Sequence, residues 1–266
     1  MRYFFHIAYQ GQYYSGWQKQ PGVKSVQEVI EKTLSKIFKT DIAIIGCGRT
    51  DAHVHASQFF FHADIEQEFE FDLFHILNKA LPYNIAIFDI IKMEGKPHAR
   101  FDAVQRKYDY FIHTYKDPFL SNQSSYYHEQ KLDVLKMKEV VNLLPQYKDY
   151  KAFCTHPNKY EHTICNVMEA DLLVDKKGDR VRFYIASNRF LGKMIRILMG
   201  KILLVGKNEL SKDEFESYLI NLETPKLLLP AHPTGLYLSK VTYPYLNLEP
   251  RTEFLTAKHG ADWFSV

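Results

Sequence analysis

Arg49 and Asp51 stand two residues apart in the run Gly48-Arg49-Thr50-Asp51-Ala52-His53-Val54-His55-Ala56. Ile42, Ile44 and Ile45 precede this run and Phe59, Phe60 and Phe61 follow it, so the sequence predicts a turn held between two buried strands. A carboxylate fixed in such a turn can serve as a nucleophile, and a guanidinium beside it suits an anionic ligand. The plainer use of the same residues is a hydrogen-bonded turn, in which Asp51 caps backbone N–H groups and Arg49 balances its charge.

Other residues able to do chemistry lie far away in sequence. Tyr108 and Tyr110 fall on one face of an expected strand with Asp109 on the other. Arg189, Lys193, Arg196 and Gly200 fall opposite the apolar stripe Leu191, Ile195, Leu198, Ile202 and Val205 of an expected helix, and such a basic face is ordinarily solvated. The run Tyr9-Gln10-Gly11-Gln12-Tyr13-Tyr14-Ser15-Gly16-Trp17-Gln18 mixes glycine, aromatic and amide side chains, which suits an irregular RNA surface or a plain loop around a packed tryptophan. Cys47, Cys154 and Cys165 are too few and too scattered for a zinc cluster or a disulfide framework, and His53 with His55 lacks a third metal ligand. No metal is expected.

Periodicity supplies the elements that must position these groups. Residues 1–97 give a strand at Tyr3–Tyr9, a helix at Val26–Phe38 opened by the Ser25/Glu28 capping box, strands near Ile42–Ile45 and Ser57–His62, a helix at Leu73–Ala80, and a strand at Ile85–Ile91. Residues 98–266 repeat the order: a strand at Val104–Tyr115, a helix at Leu132–Leu143, a hairpin at Ile164–Val174 and Arg180–Ala186, helices at Leu191–Val205 and Lys212–Leu222, and a strand at Gly235–Tyr243. Two βαββαβ orders predict an α+β protein of two ferredoxin-like halves, with mainly antiparallel sheets meeting at a central cleft. Residues from Glu249 onward fit no element.

Composition narrows the class. With 266 residues, 46% hydrophobic and 24% charged, the chain is long enough for a sizeable core and ordinary for a globular protein. Its apolar runs are strand-sized, and Met1-Arg2-Tyr3-Phe4-Phe5-His6 has no secretory pattern, so a cytoplasmic protein with no membrane contact is expected. A net charge of +3 permits an anionic partner, which must be met by local clusters such as Lys176, Lys177, Arg180, Arg182 and Lys193.

The loop at 48–56 resembles the GRTDxGVHA motif of the TruA family of tRNA pseudouridine synthases, and four further segments match in order. Residues 9–21 resemble its YxGxxYxGWQxQ segment. His98-Ala99-Arg100-Phe101-Asp102-Ala103 with Arg106-Lys107-Tyr108-Asp109-Tyr110 resembles FHARFSAxxRxYxY. Phe190 to Gly200 resembles FLxxMVRxxxG, and the segment ending Gly235-Leu236-Tyr237-Leu238 resembles APAxGLYL. The resemblance implies a cofactor-independent isomerase that converts uridine to pseudouridine in the anticodon stem-loop of tRNA, at positions 38 to 40, as a homodimer. It implies Asp51 as catalytic carboxylate, Tyr108 as the ring against the target uracil and Arg196 as the partner of Asp51. Arg49, Gln18, His55, Arg100, Arg106 and Lys193 are then the expected RNA-binding residues. The chain departs from the pattern at His53, where the family has glycine; an imidazole would strain that position if it needs a positive φ. A second departure is His162-Thr163-Ile164-Cys165-Asn166-Val167, where the family tends to carry an arginine and an aromatic residue. The rival readings are a non-catalytic paralogue that binds structured RNA, and a nucleoside hydrolase using the same carboxylate.

Overall fold

The computed structural model describes residues 1–66, 69–128, 131–225, 227–251 and 263–266. Their contacts fall into two compact units, one formed by Met1–Arg106 with the segment that begins at Tyr237, the other by Lys107–Leu236 with the C-terminal end.

In the first unit β1 (Arg2–Tyr9) is flanked by β3 (His55–Asp64) and β4 (Ile85–Lys92), both antiparallel to it, and β2 (Ile44–Gly46) adds to β3. β3 is buried along nearly its whole length. That accounts for its continuous Phe59-Phe60-Phe61 run, since a strand covered on both faces has no polar alternation to show. Phe5 stacks on Phe61 with centroids 4.5 Å apart. Helix α1 (Val26–Phe38) turns Val26, Ile30, Leu34 and Phe38 inward, and the Ser25 hydroxyl accepts the Glu28 N–H at 3.2 Å as its capping box predicts. Helix α2 (Leu73–Ala80) is capped by Asp72, which accepts the His75 N–H.

In the second unit the strand order is β10-β7-β8-β5, with β5 at Gln105–His113, β7 at Val167–Asp175, β8 at Arg180–Ser187 and β10 at Trp263–Ser265. A two-residue strand β6 (Ser125–Tyr126) runs parallel to β5. Helices α3 (Val134–Val141), α4 (Met194–Gly206) and α5 (Lys212–Asn221) complete it, α5 being capped by Ser211 on the Glu214 N–H. The chain is therefore mixed α+β, with five α-helices among the described residues.

Three features depart from the sequence reading. β9 (Leu236–Thr242), which the element order placed in the second half, pairs parallel with β3 of the first unit, Tyr237 opposite His55 and Leu238 opposite Ala56. Parallel neighbours need a long connection and leave no hairpin signal, so sequence order misassigns such a strand. Helix α4 has no solvated basic face: eleven of its thirteen residues are buried. Gly200, on the supposedly polar side, lets the segment at 229–231 cross the helix so closely that a Cβ there would lie 2.0 Å from the Leu229 carbonyl oxygen. Arg182, expected on the RNA, is instead buried in an ion pair with Asp109, 2.7 Å from Nε to the carboxylate. The unplaced end lies mostly outside the described residues, apart from β10, which pairs with β7.

Candidate active site

The loop that joins β2 to β3 is held by residues some forty positions earlier in the chain. Thr50 is buried, its hydroxyl 2.9 Å from that of Tyr9, and its carbonyl accepts the Trp17 N–H at 3.2 Å. The His53 N–H donates to Tyr14 O and the Val54 N–H to Asp51 O, each at 3.2 Å. The Gly11 N–H donates to Nδ1 of His55 at 3.2 Å. A side chain at Gly11 would place its Cβ 1.9 Å from the Val54 carbonyl oxygen, so this approach needs glycine. With Thr50 anchored inward, its two neighbours are more accessible than it is: Arg49 is exposed and Asp51 half-buried. The spacing of two that marked the sequence thus acquires a cause, since the residue between is the loop's anchor.

Cys47 is the other nucleophilic side chain nearby. Burial pushes its thiol up to about 11, so it stays protonated near neutral pH and is a poor nucleophile beside a half-exposed carboxylate.

Arg49, Gln18 and Arg100 line a single cleft of about 150 Å³ with Trp17, Gln27 and Gly48 among their neighbours. Arg106, expected on RNA, spends its guanidinium on the protein: Nε and Nη2 donate to Cys47 O, Nη2 to Arg100 O and Nη1 to Ala103 O. It ties the loop after β2 to the segment that carries Arg100. His55 is buried and stacks on Tyr237 at 4.6 Å, so it supports the loop from within.

In the second unit Tyr108 is nearly buried on β5, with Phe190 edge-on to its ring at 5.2 Å. Tyr110 is fully buried and donates its hydroxyl to His232 O at 2.7 Å, with the Ser125 hydroxyl 2.8 Å from the same oxygen; burial raises its pKa well above that of a free phenol. Of the two tyrosines, then, Tyr110 is a structural post. Arg196 begins the buried helix α4 half-buried, its Nε donating to Ala231 O at 2.8 Å while its own carbonyl accepts the Ala231 N–H at 2.8 Å. Lys193, exposed at φ +60°, lies just before the helix rather than on its face.

Thr50, Tyr9 and Phe190 have positioning roles that the sequence reading missed. A hydroxyl between two charged residues carries no signal of burial, because the tyrosine that buries it is distant in the chain.

Against known proteins, a family described as tRNA pseudouridine synthase matches residues 147–244. The chain is 35% identical over 246 residues to tRNA pseudouridine synthase A of Porphyromonas gingivalis, covering 91% of this chain and 97% of that one. It is 37% identical over 246 residues to the enzyme of that name from Bacteroides fragilis, with 91% and 96% covered. For the one from Exiguobacterium sibiricum the figures are 33% over 239 residues, with 90% and 95% covered. The fold and the anchored carboxylate loop thus sit in a chain of pseudouridine synthase type. It belongs to the tRNA pseudouridine synthase A family, TruA.

Proposed function

We propose that the protein isomerises uridine to pseudouridine in tRNA, in the anticodon stem-loop at positions 38 to 40, with Asp51 as the nucleophile. The observation that carries this reading is the Asp51 loop: a half-exposed carboxylate beside an exposed arginine, on a turn anchored through Thr50, in a chain of this family. The carboxylate attacks the sugar C1′ or the base C6, or abstracts a proton to give a glycal. In each case the N1–C1′ bond breaks, the uracil turns, a C5–C1′ bond forms and the C5 proton moves to nitrogen. Atoms and charge balance without an oxidant or an acceptor, so the reaction asks for no cofactor.

The remaining roles follow the family resemblance. Arg49 takes the place vacated by the extruded nucleotide or grips a phosphate, Tyr108 stacks on the base, and Arg196 is the partner of the Asp51 carboxylate. Extrusion costs a few kcal/mol, which stacking and arginine–phosphate contacts can offset. Gln18, Arg100 and Lys193 touch RNA, whereas His55 and Arg106 act by holding the loop. Each unit is read as a ferredoxin-like half from its element order, and the active protein as a cytoplasmic homodimer that holds one tRNA jointly.

Unmodified tRNA transcripts incubated with the wild-type protein should acquire pseudouridine, and Asp51→Asn should form none while still binding. If both proteins bind equally and neither modifies the RNA, the non-catalytic binding reading replaces this one. Release of free uracil would instead point to a hydrolase.

A further inference from the structure

The segment from 97 to 103 is a short loop whose backbone is pinned from many directions, yet it presents a large aromatic ring to solvent. The His98 N–H donates to the Asp102 carboxylate at 2.8 Å while the Asp102 N–H donates to His98 O at 3.1 Å. The Ala99 N–H donates to Nδ1 of His62 at 3.1 Å, and Ala99 O accepts the Tyr243 hydroxyl at 2.5 Å. The Tyr245 hydroxyl donates to Asp102 at 3.0 Å. Nδ1 of His98 accepts the N–H groups of Arg100 and Phe101 at 3.1 and 3.2 Å. Within this frame the Phe101 ring lies 4.2 Å from the His98 imidazole at 27°, so the imidazole backs the ring, and the residue is still 74% exposed.

A lone exposed phenylalanine is ordinary. This one differs in being rigidly mounted and in having a cation over its ring. The Arg100 guanidinium carbon lies 5.8 Å from the Phe101 centroid, and Arg100 also lines the cleft that holds Arg49 and Gln18. Among the described residues no carboxylate lines that cleft. A flat ring, two guanidiniums and an amide within one unit match the chemistry of one nucleotide: a base face to stack, a phosphate to neutralise and a base edge to bond.

We propose that Phe101 is the stacking platform for an unpaired base adjoining the nucleotide that is isomerised, with Arg100 and Arg49 gripping the phosphate between the two. This rests on the proposed activity for the identity of the neighbouring nucleotide, but not for the platform itself. Phe101 is a positioning residue, since it acts on the RNA beside the reacting base.

The test uses anticodon stem-loops carrying 2-aminopurine at single unpaired positions, bound to Asp51→Asn protein so that binding is read apart from turnover. One position next to the target should be quenched on binding. Adding Phe101→Leu should abolish that quenching and weaken binding by roughly ten-fold, whereas Phe101→Trp should keep both. In the otherwise wild-type enzyme the loss from Phe101→Leu should fall on KM more than on kcat. Phe119→Leu, at a phenylalanine 86% exposed, is the control and should change neither quenching nor KM. Equal quenching and affinity with and without the Phe101 ring would overturn the proposal. Ring-dependent quenching in a protein that makes no pseudouridine would uphold the platform and remove the enzymatic reading instead.

Discussion

Nδ1 of His53 lies 2.9 Å from the carbonyl oxygen of Gln12, and the backbone of His53 sits at φ +66°, in the left-handed region. Because the carbonyl can only accept, Nδ1 carries the proton. The departure from the family's glycine therefore brings both the strain expected of it and a contact that glycine cannot make, adding to the bonds that tie the Asp51 loop to the 9–17 segment.

These two effects oppose each other at similar size. Left-handed backbone costs a side-chain-bearing residue about 1–2 kcal/mol, and a net hydrogen bond returns about 1 kcal/mol. His53→Gly should accordingly change unfolding free energy in urea by less than about 1 kcal/mol, while His53→Val, which keeps the strain and loses the bond, should cost about 2 kcal/mol or more. Since both variants lack the bond, equal stability of the two would show that the left-handed strain does not operate.

Arg182 and Asp109 form a pair with side chains only 8% and 1% exposed. Removing one partner strands a buried charge, so Asp109→Leu alone should cost about 3–5 kcal/mol, and the double change Asp109→Leu with Arg182→Met should recover most of it. The double variant should also keep the wild-type salt dependence of tRNA binding, because Arg182 is committed to the interior. A shallower salt slope would return Arg182 to the RNA surface.

His62 is buried, and its Nδ1 accepts the Ala99 N–H, so it must be neutral in the folded protein. Burial, reinforced by Arg2 and His98, lowers its pKa from 6.5 to about 4. The unfolded chain then binds the proton more readily, so the contribution of His62 is complete above about pH 6.5 and is lost as pH falls toward 4, up to about 3 kcal/mol. His6 and His113, also lowered mainly by burial, act in the same direction. Denaturation at pH 7 and pH 4.5 should show His62→Gln less acid-sensitive than wild type. If both lose stability alike, His62 is not a source of the acid sensitivity.

Much of the local structure was legible in the sequence because it is set by neighbours in the chain. The bounds of α1 and α2 match their apolar spacing and the proline after α2, and the Ser25 and Ser211 hydroxyls cap their helices as expected, since each pairs groups within one helical turn. Arg49 and Asp51 were equally legible as a charged pair on a turn, and the ordered motifs identified the family. Tertiary structure alone decided what those groups touch. Thr50 is anchored by Tyr9, Arg106 is spent on Cys47, Arg100 and Ala103, and Arg182 is drawn inward by Asp109. It likewise gave β9 to β3 and covered the Gly200 side of α4 with Leu229. Periodicity and capping act over a few residues, whereas the partner of a polar group and the neighbour of a parallel strand are chosen by burial across the whole fold, where an unpaired group is costly.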